Sequence, residues 1–211
     1  MPDAADIQTP AQARRSGRRS LLLLVLVSAL IGAGAWWYWG RTYHLATVQP
    51  GVLYRTGNRS AREFENVVHK VHARTVVCLV DDDEVAAPEK PQFKEEFAFL
   101  KEQGVRLERI PVRLGGWPSS EDVQRFLQIV QQPENQPVIV HCAQGVRRTG
   151  MMVAAYQLSL EPGRYDKQKA KDAIQSFGHS DRTVRDVQKF IDVYDPQART
   201  VPPMTLSDVK E

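Results

Sequence analysis

The chain has 211 residues, of which 42% are hydrophobic and 25% are charged, with 13 glycines and 13 prolines. This composition excludes an intrinsically disordered chain, a collagen-like repeat and a coiled coil, and the length suits one domain with an additional tail. The 28 Lys and Arg residues exceed the 25 Asp and Glu residues by three, and four arginines against two aspartates in the first forty residues leave a nearly neutral body. We therefore expect no nucleic-acid partner, because such a protein would carry a basic surface on its folded part.

The N-terminal part of the chain contains twenty consecutive residues without a charge, at positions 20–39. As an α-helix this segment would be about 30 Å long, which is the thickness of the hydrocarbon core of a bilayer. Arginines before it and aromatic residues at its end are typical of membrane interfaces. The sequence predicts a transmembrane helix at 20–39, a basic cytoplasmic tail at 1–19, and a single-pass membrane protein whose main domain lies outside the cytoplasm.

Two other interpretations of this segment stay open. Ala33, Gly34 and Ala35 form a small-residue pattern that suits cleavage of a signal peptide, and Arg18 and Arg19 could belong to a twin-arginine signal. Either signal would also place the body outside the cytoplasm. The other interpretation is a buried core helix, although a segment that is apolar on every side offers no polar face to solvent.

The body of the chain, at residues 43–195, alternates short apolar runs with segments of helical periodicity. This alternation indicates a single α/β domain with a central sheet flanked by helices. Ser60 and Glu63 have the spacing of a capping box at the start of the first helix. Strands are predicted at 76–80, 105–112 and 138–140. The residues at 196–211 are predicted to form a disordered tail.

The most informative motif is HCAQGVRRTG, at residues 141–150, which lies between an apolar strand and a helical segment. A strand, a glycine-containing loop and a helix in this order direct backbone N–H groups and a helix N-terminus towards one point, where an anion can bind. Cys142 lies at the floor of this loop, and we expect its thiol pKa to fall below the free value of about 8.5. Arg148, six positions later, can fold back and offer two parallel donors to phosphate oxygens.

The spacing Cys-x5-Arg, with His before the cysteine and Thr-Gly after the arginine, resembles the signature of the cysteine-dependent protein tyrosine phosphatase superfamily. The resemblance implies that Cys142 forms a phosphocysteine intermediate, that Arg148 binds phosphate and stabilises the transition state, and that Thr149 donates a hydrogen bond to the sulfur. It also implies that His141 orients the loop. The residues that would supply phosphate-facing N–H groups are Ala143, Gln144, Gly145, Val146 and Arg147.

Within that superfamily the chain is most similar to the compact atypical dual-specificity phosphatases of the plant and fungal type. The similar stretches are GVLYRTGNRS, TVVCLVDDDE, PENQPVIVHCAQGVRRTG and DVQKFIDVYD. We expect a monomer without a metal or organic cofactor, which acts on phosphotyrosine, phosphoserine or a phosphorylated small molecule. This subgroup is associated with inositol pyrophosphates, but the Lys-His pair usual in its loop is replaced here by Val146 and Arg147.

The sequence does not assign the general acid that would protonate the leaving group. Many relatives carry an Asp on a loop well before the cysteine, whereas Arg113 and Leu114 occupy that stretch here. Glu121 and Asp122 follow, and they equally suit the first turn of a helix. The three aspartates at 81–83 could reach the pocket from a neighbouring strand, although a solvated acidic turn is favoured.

Other functions therefore stay open beside the phosphatase. An inactive pseudophosphatase would keep the phosphate-binding loop and lack turnover, which the missing acid makes plausible. A rhodanese-like sulfurtransferase also presents a thiolate in a loop, but the loop of that family is one residue shorter. Cys78 lies in a strand predicted beside that of Cys142, so we consider a reversible disulfide, with a buried core cysteine as the favoured alternative.

Overall fold

The computed structural model describes residues 25–30, 32, 34, 40–161 and 163–203. The chain divides into two compact units, Met1–Arg41 and Thr42–Glu211. In the first unit, the described residues 25–30, 32 and 34 are helical. The predicted tail at 1–19 and most of the predicted transmembrane helix at 20–39 lie outside the described residues. Within the residues that are described, no helix combines the length and the apolar character needed to cross a bilayer.

The described residues of the second unit form five strands and seven α-helices. The strands are β1 Ala46–Gln49, β2 Leu53–Gly57, β3 Thr75–Cys78, β4 Arg106–Arg109 and β5 Val138–Cys142. The helices are α1 Ala61–Val71, α2 Asp82–Ala86, α3 Gln92–Glu102, α4 Ser120–Gln131, α5 Arg147–Leu160, α6 Lys167–Asp172 and α7 Asp181–Val193. A short 3-10 helix, Pro133–Asn135, precedes β5.

The five strands form one mixed sheet in the order β1-β2-β5-β3-β4. β1 pairs with β2 in the antiparallel direction, and the other neighbours are parallel. β5 is therefore the central strand, and its carboxyl end lies at the same edge of the sheet as the carboxyl ends of β2 and β3. In open α/β sheets this edge is where ligands bind. The predicted α/β domain with a central sheet flanked by helices is confirmed.

Helices cover both faces of the sheet because the side chains of β5 alternate between them. Val140 belongs to the same buried cluster as Met151 of α5. Ile139, one residue earlier, belongs to the opposite cluster with Phe64 of α1 and Leu100 of α3. All five residues of β5 are buried. This two-sided burial explains why the strand is apolar without alternation in its sequence.

Two predicted elements differ in extent from the structure. The acidic residues predicted as a solvated turn begin α2, because Asp81 caps that helix by accepting a hydrogen bond from the Glu84 N–H at 2.8 Å. The strand predicted at 105–112 is limited to β4, whose neighbour β3 ends opposite Arg109. The capping interaction predicted for α1 is present, since the Ser60 hydroxyl accepts a hydrogen bond from the N–H three residues later.

The tail predicted at 196–211 is described as far as residue 203, and this part contacts the domain. Asp195 and Thr200 form an isolated β-bridge. The N–H of Val201 donates to the Ser120 hydroxyl at 2.9 Å, and the Val201 side chain is buried. These contacts hold residues 196–203 on the surface near α4. Residues 204–211 lie outside the described residues.

Candidate active site

The loop at residues 142–147 connects the carboxyl end of β5 to the first turn of α5. Gly145 has a φ of 72°, in the left-handed region that favours glycine. A Cβ at this position would collide with the backbone carbonyl of Thr56 in β2. The Gly145 N–H donates to the Cys142 sulfur, with an N-to-S distance of 3.2 Å. The strand, glycine-containing loop and helix predicted from the sequence are thus present, and the sulfur faces the inside of the loop.

A pocket of about 350 Å³ opens at this loop. The residues that line it come from several separate segments and are Glu84, Lys90, Leu114, Gly115, Cys142, Ala143, Gln144, Arg147, Arg148 and Thr183. Among the other predicted site residues, Gly145 and Val146 are buried within the loop, and Thr149 is buried in the first turn of α5. The structure therefore brings the predicted nucleophile and the predicted phosphate-binding arginine to one cavity.

The environment of Cys142 favours its thiolate form. Burial of the sulfur raises the thiol pKa, but the Arg148 guanidinium and hydrogen bonds from Thr149 and the Gly145 N–H together bring this pKa below its ordinary value. The Thr149 hydroxyl is fully buried, and no acceptor other than the Cys142 sulfur is available to it among the described residues. The position of this hydroxyl therefore favours a hydrogen bond to the Cys142 sulfur, as the family resemblance implies.

Arg148 is buried and is held through one of its terminal nitrogens. Its Nη1 donates to Glu84 Oε2 at 2.5 Å, to the Val112 carbonyl at 3.1 Å and to the Leu79 carbonyl at 3.3 Å. Nε and Nη2 make no hydrogen bond to the described residues, and Arg148 lines the pocket. That edge of the guanidinium can offer two parallel donors to a phosphate while Nη1 stays anchored.

The anchor of Arg148 is a residue whose role the sequence analysis missed. Glu84 is buried, with 6% of its surface exposed, and its other oxygen contacts Lys90 Nζ at 3.2 Å. The neighbouring Asp81 does not supply this anchor, because its oxygens accept hydrogen bonds from the N–H groups of Glu84 and Leu114. The three-residue spacing of Asp81 and Glu84 is an N-cap pattern. That pattern could have indicated a helix that turns Glu84 back towards the loop.

The side chain of Arg147 ties the loop to its surroundings. Its Nη1 and Nη2 donate to the carbonyls of Gly116 and Gly115 at 2.6 and 2.9 Å. Its Nε donates to Asp186 of α7 at 2.7 Å. This cation is therefore paired with a carboxylate, and we assign it to holding residues 115–116 against the phosphate loop rather than to widening the positive field of the pocket.

Substitution Arg147→Ala is expected to loosen the pocket wall at residues 115–116. Loss of three charge-assisted hydrogen bonds should raise KM by about tenfold and change kcat less. Hydrogen–deuterium exchange of residues 113–117 should become faster. Arg113→Ala removes an exposed arginine from the same segment and serves as the control. Unchanged exchange and unchanged KM in Arg147→Ala would show that Arg147 does not hold this wall.

A buried polar network lies behind the loop. His141 Nε2 and Glu96 Oε1 are 2.9 Å apart, and Asn58 Nδ2 donates to Glu96 Oε2 at 2.6 Å. The Asn58 N–H donates to the Ala143 carbonyl at 2.9 Å. Burial lowers the pKa of His141, but the negative charge of Glu96 and the nearby Cys78 raise it well above its ordinary value. The network links α3 to the loop and suits the loop-orienting role that the resemblance implies for His141.

Cys78 contacts this network and lies away from the Cys142 sulfur. In the parallel register Cys78 is opposite His141, so these two side chains share one face of the sheet. Cys142 is the next residue along β5 and faces the other side, in a different buried cluster. A Cys78–Cys142 disulfide would require the strands to rearrange, which favours the alternative of a buried core cysteine.

The same network contains a set of potential metal ligands. Donor atoms of Cys78, Glu96 and His141 lie within 4.8 Å of one another, and all three side chains are fully buried. The residues lie far apart in the sequence, so no ligand spacing indicated them. In the structure the His141 nitrogen and the Glu96 carboxylate already contact each other.

The acidic residues considered before the loop cap a helix. The Ser119 hydroxyl accepts a hydrogen bond from the Asp122 N–H at 3.1 Å, and Asp122 Oδ2 accepts from the Ser119 N–H at 2.9 Å. This is a complete capping box at the start of α4. Glu121 is exposed in the same turn. Among the described residues that line the pocket, Glu84 is the only carboxylate.

A cysteine of lowered pKa in a loop after the central strand, with an arginine anchored beside it, is the arrangement that cysteine-dependent phosphatases use to hold phosphate against a thiolate. The chain belongs to the family described as DSP-PTPase phosphatase fused to NAD+ kinase, which it matches over residues 47–191. The resemblance to the protein tyrosine phosphatase superfamily, and to its atypical dual-specificity members, is confirmed.

Relatives of two kinds share this domain. The dual specificity protein phosphatase TpbA of Pseudomonas aeruginosa is 25% identical over 140 residues, which are 66% of this chain and 57% of TpbA. Inositol diphosphatase SIW14 of Saccharomyces cerevisiae is 25% identical over 149 residues, which are 69% of this chain and 49% of SIW14. The chain therefore spans about half the length of these curated relatives.

Solved structures of both relatives have the same fold. The crystal structure of TpbA matches with a TM-score of 0.57 and 25% identity, over 74% of this chain and 87% of that one. The core catalytic domain of SIW14, in complex with citrate, matches with a TM-score of 0.59 and 22% identity, over 74% of this chain and 87% of that one. The α/β phosphatase fold is thus common to all three.

Proposed function

We propose that this domain hydrolyses phosphate monoesters, on phosphotyrosine or phosphoserine proteins or on a phosphorylated small molecule, through a phosphocysteine intermediate. The observation that carries the proposal is the position of the Cys142 sulfur. It accepts a hydrogen bond from the Gly145 N–H and lies in the same pocket as the anchored Arg148. Membership of a phosphatase family supports it. The site is built from one chain, so we propose that a monomer is the active form, which sedimentation equilibrium can test.

The proposed reaction has two steps. In the first, the Cys142 thiolate attacks phosphorus, the S–P bond forms, and the bond from phosphorus to the leaving oxygen breaks. Arg148 and the N–H groups of the loop stabilise the charge on the three remaining oxygens. In the second step water attacks phosphorus and gives up a proton to solvent, and the S–P bond breaks. Cys142 then leaves as a thiolate, stabilised by Thr149 and Gly145, and inorganic phosphate is released.

Among the described residues that line the pocket, no carboxyl group is free to protonate the leaving oxygen. Both oxygens of Glu84, the one carboxylate among the described lining residues, contact cations. Since a positioned general acid contributes about 10²–10⁴-fold to such reactions, the rate should depend strongly on the acidity of the leaving group. We expect kcat/KM for p-nitrophenyl phosphate to exceed that for a simple alkyl phosphate by at least about 10²-fold.

A series of aryl phosphates with phenols of increasing pKa measures this dependence. The variants Glu121→Gln and Asp122→Asn serve as controls and should keep the dependence unchanged. A rate that is independent of the pKa of the leaving group would contradict the absence of a general acid. A fast wild-type rate that is abolished in Glu121→Gln or in Asp122→Asn would contradict it as well.

A diphosphate, in which a phosphoanhydride bond is cleaved, is a second substrate class that the site favours. A phosphate leaving group is far more acidic than an alcohol and needs no proton from the enzyme. The pocket contains Lys90 and Arg148, and SIW14 is by name an inositol diphosphatase. Phosphate release from an inositol diphosphate and from the corresponding inositol monophosphate ester can be compared directly. Equal rates on both would argue against this class.

We also propose that residues 20–39 anchor the protein in a membrane with the catalytic domain outside the cytoplasm. The uncharged length of this segment and the preceding arginines support the proposal. Reporter fusions on both sides of the segment would reveal its orientation. Recovery of a mature chain that begins after residue 35 would favour a cleaved signal peptide instead.

A further inference from the structure

Behind the phosphate loop lies a second buried arginine that sequence analysis did not single out. Arg55, in the middle of β2, has only 3% of its surface exposed. It forms no ion pair with a carboxylate among the described residues. Burial lowers the pKa of Arg55 to about 10, an effect that the negative charge of Cys142 partly offsets. A buried cation without a carboxylate partner lowers the stability of the folded state, which suggests that Arg55 has a functional role.

Arg55 donates its hydrogen bonds to backbone carbonyls on the outer side of the loop. Its Nη2 donates to the Gly145 carbonyl at 2.6 Å and approaches the Val146 carbonyl at 3.4 Å. Gly150, in the first turns of α5, lies beside the guanidinium, and a Cβ there would be in ordinary contact with Nη2, at 3.8 Å. The ring of Phe177 covers the guanidinium, with 5.5 Å between Cζ and the ring centre.

These bonds fix the direction of two peptide groups. In a trans peptide the C=O and the following N–H point in opposite directions. When Arg55 holds the carbonyls of Gly145 and Val146 outwards, the N–H groups of Val146 and Arg147 point away from Arg55, towards the interior of the loop. Gly145, whose carbonyl accepts from Arg55, donates its own N–H to the Cys142 sulfur, so the guanidinium lies near enough to that sulfur for their charges to interact. One side chain thus acts on the two features that a phosphate loop needs, inward N–H groups and an ionised sulfur.

We infer that Arg55 is a positioning residue of the phosphate loop, which turns the N–H groups of Val146 and Arg147 towards the bound phosphate and adds a second positive charge beside the Cys142 thiolate. The inference deepens the proposed function and rests on it for its catalytic consequence. It differs in kind from the role of Arg148, whose free edge faces the pocket: Arg55 acts from behind the loop and does not touch the substrate.

Variants Arg55→Met and Arg55→Lys of the full chain test the inference. The rate of iodoacetamide alkylation of Cys142, followed by mass spectrometry of its peptide, is measured against pH together with kcat, KM and inhibition by inorganic phosphate. For Arg55→Met we expect the alkylation profile to move to higher pH, kcat to fall by about 10²-fold and inhibition by phosphate to weaken. Arg55→Lys keeps the charge but loses the planar guanidinium, so its alkylation profile should stay near that of the wild type while kcat remains reduced.

Arg74→Met removes an exposed arginine beside the start of β3, at the opposite end of the sheet, and should behave as the wild type. A folded Arg55→Met with the alkylation profile and kcat of the wild type would overturn the inference. If Arg55→Met does not fold, a wild-type kcat in Arg55→Lys overturns it. A wild-type protein without phosphatase activity would instead refute the proposed function, and the alkylation profiles of the Arg55 variants would still report on the loop.

Discussion

Replacing Cys142 by serine is expected to lower phosphate release from p-nitrophenyl phosphate by more than about 10⁴-fold, while binding of inorganic phosphate persists. The reason is that the loop and Arg148 lower the pKa of the Cys142 thiol and so favour its thiolate, whereas a serine hydroxyl at the same position stays protonated and is a weak nucleophile. The N–H groups of the loop are unchanged in this variant. Steady-state kinetics and calorimetric titration with phosphate measure the two properties separately.

Cys78→Ala is the matched control, because it removes the other cysteine of the chain from the adjacent strand and the opposite face of the sheet. We expect this variant to keep turnover within a few-fold of the wild type. Full activity in Cys142→Ser would contradict the phosphatase mechanism. A wild-type protein that binds phosphate and releases none from any ester would instead identify the inactive pseudophosphatase.

Substitution Arg148→Lys is expected to reduce kcat/KM by about 10³-fold. A lysine ammonium is a single point donor, so it cannot keep the contacts to Glu84 and the backbone carbonyls and also bind two phosphate oxygens side by side. The Cys142 thiol pKa should rise less than in Arg148→Ala, because the positive charge is retained. Kinetics with p-nitrophenyl phosphate, together with the pH profile of Cys142 alkylation, measure both effects.

Arg113→Lys provides the comparison for this experiment, since Arg113 is exposed on the segment beside the pocket. It should retain the wild-type rate. Arg148→Lys with an unchanged kcat/KM would mean that the bidentate edge of the guanidinium is not used, and the assignment of Arg148 as the phosphate-binding residue would be wrong.

The nucleophile and its arginine could be predicted because the information is local. The apolar run of β5, Gly145 and the first turn of α5 follow each other within a few residues, and each has a direct structural meaning. The spacing of six between Cys142 and Arg148 brings the arginine back over the loop only if a helix begins there, which the sequence also indicated.

The supporting residues could not be predicted because the sheet brings them from distant parts of the chain. Glu84, Glu96 and Arg55 contact residues in or next to the active loop that are 64, 45 and 90 positions away. Strand order decides these contacts, and no short pattern encodes it. Helical spacing indicates the inner face of α3 but does not decide whether Glu96 or Phe97 is the more buried side chain. In the structure it is Glu96.

The assignment of Arg147 shows a different limit. From the sequence it is a positive charge next to the phosphate-binding arginine. Its effect depends on Asp186, which α7 brings to within 2.7 Å, and on the two carbonyls at 115–116. A charge that is paired in this way contributes little to the field at the pocket, so counting cations in the loop overstates its positive potential.

The most direct test of the mechanism is to trap the intermediate. The protein is mixed with p-nitrophenyl phosphate, quenched during turnover, digested and analysed by mass spectrometry. The account predicts a phosphoryl group on the peptide that contains Cys142, and none on that peptide in Cys142→Ser. Continued release of p-nitrophenol with no phosphorylated Cys142, or with the phosphoryl group on another residue, would contradict it.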